Sequence, residues 1–195
     1  MLAPTKQPKR QRATPDSIIA AARNIARERG WSSVTIRAIA VDLGYTSPLI
    51  YEHFKNKEDA IAEAARRGFV ELAEVLRDVE GASGTEVRLR AMAEAYVQFA
   101  RRCPELYQVM HGLDGAVTDP AIIAEGAKDV CELVARELGA WAETMPTRMP
   151  NPLAATELLW CLVHGIATLT LTGRIVGPNA SNAVQTLLDG WKVHA

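Results

Sequence analysis

Apolar residues recur along this chain at spacings of three and four, the period of a helix face turned toward a core. Ile18, Ile19, Ala22, Ile25 and Ala26 make the first such face. Pro15 falls in its first turn, where a missing N–H costs nothing, and Gly30 stops the run, so a helix is predicted to open near Thr14. Ile36, Ile39, Ala40 and Leu43 make a second, shorter face behind Thr35, whose hydroxyl suits a helix cap. Gly44 supplies a turn. Thr46 or Ser47 caps a third helix with Pro48 at or near its first position, and Ile50 and Phe54 point back to the same small core.

The pattern continues without a convincing strand or repeat. A long fourth helix is predicted over 56–79, broken by the Gly-rich stretch 81–84. A fifth follows over 85–102, with Leu89, Met92, Ala93, Tyr96, Val97 and Phe99 inward, and Pro104 opens a short sixth. A seventh covers 120–144, the Pro-containing stretch 145–152 is a loop, and the eighth and ninth cover 153–174 and 179–193. The fold class is therefore all-α, with about nine helices.

Residues 35–58 depart from plain core. Their two short helices join at a glycine turn, and the second is polar and aromatic on one side. That is how a helix-turn-helix presents a helix to the DNA major groove. The net charge of -1 argues against a nucleic-acid partner, but its distribution does not. Residues 1–58 hold ten Lys and Arg against five Asp and Glu, a net of +5, and residues 59–195 carry a net of -6. The basic end is the end with the turn motif.

Residues 1–13 mix Pro4 and Pro8 with Lys6, Lys9, Arg10 and Arg12 and read as a mobile basic arm, solvated or ordered on DNA. With no apolar core before Arg12, the start of the chain does not read as a signal peptide. The most apolar stretch, 153–171, contains Glu157 and His164 and reads as a buried or interface helix rather than a membrane span. Cys103, Cys131 and Cys161 are scattered and form no CxxC pair, so neither a disulfide framework nor a zinc site is supported. They read as small buried side chains in a reducing cytoplasm.

The run Thr35, Ile39-Ala40, Leu43-Gly44, Leu49-Ile50-Tyr51, His53-Phe54 and Lys57-Glu58 resembles the TetR family of bacterial transcriptional regulators over residues 14–60. A second stretch, Trp160 through His164 and Gly165, is similar to the Trp…His-Gly signature of one branch of that family's ligand-binding domains. The resemblance implies a DNA-binding head at 14–58 behind the arm at 1–13. It also implies a body at 59–195 that binds a small ligand and dimerises through its last helices. It places Thr46, Ser47, Pro48 and Leu49 at base edges and Arg37 within reach of a base or phosphate. Thr35, Tyr51, His53 and Lys57 fall at phosphate-contacting positions.

The residue chemistry is compatible with those roles. Thr and Ser hydroxyls donate or accept at base edges, and Pro48 and Leu49 suit a thymine methyl. Lys57 adds charge at the start of the fourth helix, where free N–H groups already favour phosphate. Plain structural readings stand beside these: Tyr51 as a half-buried tyrosine, His53 as a helix cap, Arg37 as a surface ion pair with Asp42 or Glu58. Residues 46–49 contain no Arg, Asn or Gln for bidentate base reading, so direct readout is modest unless Arg37 or the arm adds to it.

In the eighth helix Leu158, Leu159, Leu162, Val163, Ile166, Ala167, Leu169 and Thr170 cover more than one stripe, so it is expected to be buried on two sides. Leu158, Leu162, Ile166 and Leu169, with Leu187 and Trp191 of the ninth helix, are the candidate homodimer interface. Met92, Tyr96, Phe99, Tyr107, Met110, Trp141, Trp160 and His164, with His111 nearby, are candidate effector contacts, though ordinary cores use the same residue types. No Gly-rich phosphate loop, HExxH, GxSxG or spaced carboxylate pair occurs, so no enzyme, cofactor or metal is expected. The leading expectation is a cytoplasmic repressor that binds operator DNA and releases it on meeting a small apolar effector. An activator, or a DNA-binding regulator without a ligand, is the alternative.

Overall fold

The computed structural model describes residues 13–79, 83–113, 115–116, 119–177 and 179–193. The expected basic arm lies outside them except for Ala13, as does half of the expected break at 81–84. Nine α-helices account for the described residues: α1 (Pro15–Arg29), α2 (Ile36–Asp42), α3 (Ser47–Tyr51), α4 (Lys57–Arg77), α5 (Thr85–Arg102), α6 (Pro104–Met110), α7 (Pro120–Ala142), α8 (Pro152–Leu171) and α9 (Ala180–Trp191). Predicted starts fall within a residue or two of these, whereas α4, α7, α8 and α9 each end two or three residues earlier than expected.

Local chemistry explains the head. Thr14 caps α1 and exchanges bonds with Ser17, Pro15 occupies the first turn, and Gly30 ends the helix at φ 79°. A single 3-10 turn at Trp31–Ser33, unforeseen from the sequence, then buries Trp31. Thr35 accepts from the Ala38 N–H and starts α2. Gly44 sits at φ +68°, the left-handed turn that lets α3 leave α2 at an angle. Ile18, Ile25, Ile39 and Ile50 are fully buried and Phe54 nearly so, which closes a three-helix core.

α4, capped by Asn56 on the Asp59 N–H, begins inside the expected head and runs on into the body. The division at 58/59 therefore falls within a helix rather than a linker. α4 packs on α1 at one end and on α6 and α7 beyond it. Two glycines permit that closeness. A Cβ on Gly68 would stand 2.6 Å from the Met110 sulfur, and one on Gly126 of α7 would overlap the Phe69 ring. α5, α7, α8 and α9 complete the body.

The loop after α7 is pinned rather than free. Arg148 donates to the Trp191 carbonyl (2.6 Å) and Val193 to that of Pro146 (3.1 Å). Beneath it the Trp141 indole donates to Glu86, and Lys192 bonds the same carboxylate at 2.9 Å. These bonds hold the Glu86 carboxyl below its ordinary range, the Lys192 ammonium being the largest cause, and raise Lys192 through Asp189 and Glu86.

Candidate DNA-binding face and effector cavity

The helix-turn-helix presents the expected residues to solvent. Thr35, Arg37, Thr46, Pro48, Leu49, Tyr51 and His53 are exposed, and Ser47 and Lys57 half-buried. Thr46 holds the cap position of α3 without bonding to it through its side chain, so its hydroxyl is available to a base or phosphate. Tyr51 is 54% exposed, which removes the half-buried reading. Arg37 forms no ion pair with Asp42 or Glu58 among the described residues. Lys57 lies 3.9 Å from Glu58, a long surface pair worth little against a phosphate.

His53 differs from its neighbours. Its Nε2–H donates to the Ala13 carbonyl at 3.0 Å, so the ring fixes the root of the N-terminal segment rather than standing free. The structure also adds a residue that the sequence alone did not single out. Arg29, from the last turn of α1, shares a surface groove with Thr35 and Arg37. Only the packing of α1 beside α2 places it here.

Head and body are joined by a buried charge. Glu105 of α6 is 1% exposed. Its carboxylate accepts from Arg27 at 2.6 Å and from Arg23 at 3.2 Å, both on α1. Arg23 also bonds Glu71 of α4 at 2.8 Å, and the Trp31 indole donates to the Glu105 backbone carbonyl at 2.7 Å. Hydrogen bonding to Glu105 raises the Arg27 guanidinium above its ordinary value. Glu105 thus ties α1 and the turn after it to α6, and Arg23 extends the network to α4 through Glu71.

The body encloses an apolar cavity of about 30 Å³ lined from α4, α5, α7 and α8, by Leu76, Leu89, Met92, Tyr96, Val134 and Trp160 among others. Three of the eight expected effector contacts, Met92, Tyr96 and Trp160, line it; Phe99, Tyr107, Met110, Trp141 and His164 do not. Trp141 is wholly buried against Trp191 and Glu86.

Tyr107 and His164 instead form a polar layer behind the cavity. The Tyr107 hydroxyl lies 2.8 Å from His164 Nδ1 and 3.1 Å from the Thr168 hydroxyl, and Tyr96 OH lies 3.2 Å from His111 Nε2. The two imidazoles meet edge to face with centroids 4.5 Å apart. Burial lowers both, His111 to about 3 with some help from His164, and raises the Tyr96 and Tyr107 phenols. His164 was marked by the resemblance of Trp160 through Gly165 to a family signature; Thr168 and the Tyr–His pairing were not legible because they join α5, α6 and α8.

α8 buries Ala155, Thr156, Leu159, Val163 and Ala167 in its own body. Leu158 and Leu169 are exposed and Leu162 and Ile166 half-buried, so its second apolar stripe is uncovered in the single chain. Length and composition would allow α8 to cross a membrane. Leu187 of α9 is half-buried, and Trp191 is 9% exposed and packed against Trp141. Cys161 lies exposed on the same side of α8, unlike the buried role expected of it, and Cys103 and Cys131 are half-buried.

A helical body carrying an exposed helix-turn-helix defines a DNA-binding regulator. Comparison with known proteins makes the class particular. Residues 89–190 match the tetracyclin repressor-like C-terminal domain, and residues 18–65 match the bacterial regulatory proteins of the tetR family. The chain belongs to the TetR family and is a regulator rather than an enzyme. It is 26% identical over 160 residues to the HTH-type transcriptional regulator Rv0681 of Mycobacterium tuberculosis, covering 81% of this chain and 70% of that protein. In fold it is similar to a Rhodococcus sp. RHA1 protein (TM-score 0.78, 23% identity, 94% of this chain and 96% of that one). It is also similar in fold to the transcriptional regulator FadR of Bacillus subtilis in complex with stearoyl-CoA (TM-score 0.73, 16% identity, 93% and 100%).

Proposed function

We propose that this protein is a cytoplasmic, homodimeric repressor that leaves its operator when a small apolar molecule occupies the body. The observation that carries the reading is the shared use of α4. Its Leu76 walls the cavity, its Gly68 sits against Met110 of α6, and its Glu71 shares Arg23 of α1 with Glu105. Enlarging the cavity strains contacts that also set the orientation of the head. A ligand that prefers the enlarged state shifts the population toward a head spacing that no longer matches DNA. That a protein of the same fold, FadR of B. subtilis, holds stearoyl-CoA supports a body able to accept a ligand.

On the DNA, Thr46, Ser47, Pro48 and Leu49 meet base edges, and Thr35, Arg37, Tyr51 and Lys57 hold phosphates on either side. His53 acts indirectly by anchoring the arm root through Ala13. Two copies packed through the uncovered stripe of α8, with Leu187 beside it, present paired recognition helices to a pseudo-palindromic site. Footprinting of the DNA flanking this protein's own gene tests the reading. Protection of two half-sites about one helical turn, or a multiple of it, apart is expected. Absence of protection at any concentration that spares random DNA would remove the repressor assignment.

A further inference from the structure

The cavity and the polar layer behind it meet at one residue. The Tyr96 ring lines the cavity, while its hydroxyl bonds His111. Trp160 stands beside it as the other wall, with its ring centroid 5.8 Å from Tyr96 and 5.9 Å from His111. Beyond these two rings lie His164, Tyr107 and Thr168, with the Tyr107 hydroxyl bonded to both of the others. The body thus holds an apolar compartment and a hydrogen-bonding compartment, separated by a Tyr96–Trp160 partition.

Among the described residues no Asp, Glu, Lys or Arg lines the cavity. The one other hydroxyl on its wall, that of Thr156, donates to the Pro152 carbonyl of its own helix. Burial disfavours charge on both imidazoles, most strongly on His111, which it lowers to about 3. The groups next to the cavity are therefore two phenols, two imidazoles whose charged form burial disfavours, and the Thr168 hydroxyl, all able to bond a neutral oxygen. None supplies a countercharge to an ion, and a buried ion without one is costly.

We propose that the effector is an uncharged molecule with an apolar body and one hydroxyl or carbonyl head, the body filling the cavity and the head bonded by the Tyr96–His111 and Tyr107–His164 pairs. This rests on the sensor reading above. The cavity's free space of about 30 Å³ holds only a water or two, so the molecule enters as the half-buried Trp160 gives way and opens the apolar compartment to the imidazoles.

The test uses the full-length protein and three probes with the same eight-carbon tail: octan-1-ol, octanoate and octylammonium, compared near neutral pH by calorimetry and thermal shift. Octan-1-ol is expected to bind at least about tenfold more tightly than either ion, because only it leaves no charge unpaired. Tyr96→Phe keeps the ring on the cavity wall and removes only the hydroxyl; it is expected to weaken octan-1-ol roughly five- to tenfold. Equal or tighter binding of either ion overturns the neutral-head inference and leaves the sensor reading standing. Wild-type octan-1-ol affinity in Tyr96→Phe also overturns the inference, since the head would then be bonded elsewhere. If none of the three binds, the sensor reading falls with it.

Discussion

Lys57 stands one residue past the Asn56 cap of α4, and Tyr51 projects from the end of α3 with its ring open to water. Neither supports the core, so truncating them separates DNA contact from folding. Tyr51→Ala and Lys57→Ala are expected to weaken DNA binding while sedimentation still shows the same oligomer. For Lys57→Ala the slope of log affinity against log salt is expected to become shallower by about one, the signature of one lost phosphate contact. An unchanged slope would take Lys57 out of the phosphate set. His111 offers a second residue-scale test, through stability. Its folded-state value, lowered from 6.5 to about 3, means the unfolded chain takes up a proton that the folded chain refuses. The stability this provides is complete above about 6.5 and is lost as pH falls toward 3, at up to about 1.4 kcal/mol per pH unit. His164 adds in the same direction. Denaturant midpoints from near neutral down to mildly acid pH should fall less steeply in His111→Gln than in the wild type; parallel curves would mean that His111 is not the neutral buried group described.

At the scale of elements, the helix ends and faces were legible where local chemistry decides them. Thr14, Gly30, Thr35 and Asn56 cap or stop helices, and Ile18, Ile39, Ile50 and Leu89 turn inward as their spacing predicts. The turn at Trp31–Ser33 was not legible, because Trp31 is drawn inward by a bond to the carbonyl of Glu105, distant in sequence. The packing of Trp191 was not legible for a similar reason. Its position on the apolar face of α9 suits an interface or a core equally, and only Trp141 across the gap decides it. The cavity lining was legible only in part, since periodicity marks Met92, Tyr96 and Trp160 as inward without saying which inward residues border a void. Glu105 gave no signal at all: a lone acid in a short helix reads as surface until α1 supplies Arg23 and Arg27. Glu105→Gln keeps the shape and removes the charge. It is expected to lower stability by about 1–3 kcal/mol, discounted because half of the Arg27 side chain is exposed and can turn to water. It should also reduce the effect of bound ligand on DNA affinity, measured by titration with and without octan-1-ol. Wild-type coupling in this variant would place the linkage between head and body elsewhere.

The whole molecule is a basic head on an acidic body, with an apolar stripe left open along α8. Leu158 and Leu169 on that stripe are 49% and 37% exposed, an arrangement a second copy would cover. Leu162→Glu places a charge in the middle of it and is expected to yield monomers in sedimentation, with folding intact by circular dichroism; an unchanged dimer would move the interface off α8. Under the proposed function association would matter, because a single head with a five-residue recognition helix and no bidentate base reader over residues 46–49 has little to hold it to one sequence. In the proposed dimer, two heads at fixed spacing would supply that selectivity, and a change in spacing would remove it. The central claim is that occupancy of the body and affinity for DNA are linked. The most direct measurement is the affinity of the full-length protein for its footprinted DNA with octan-1-ol present at the level that saturates its thermal shift, against the affinity without it. A loss of roughly five- to 150-fold, the range that about 1–3 kcal/mol of coupling produces, is the predicted result. Unchanged affinity under saturating ligand would contradict it.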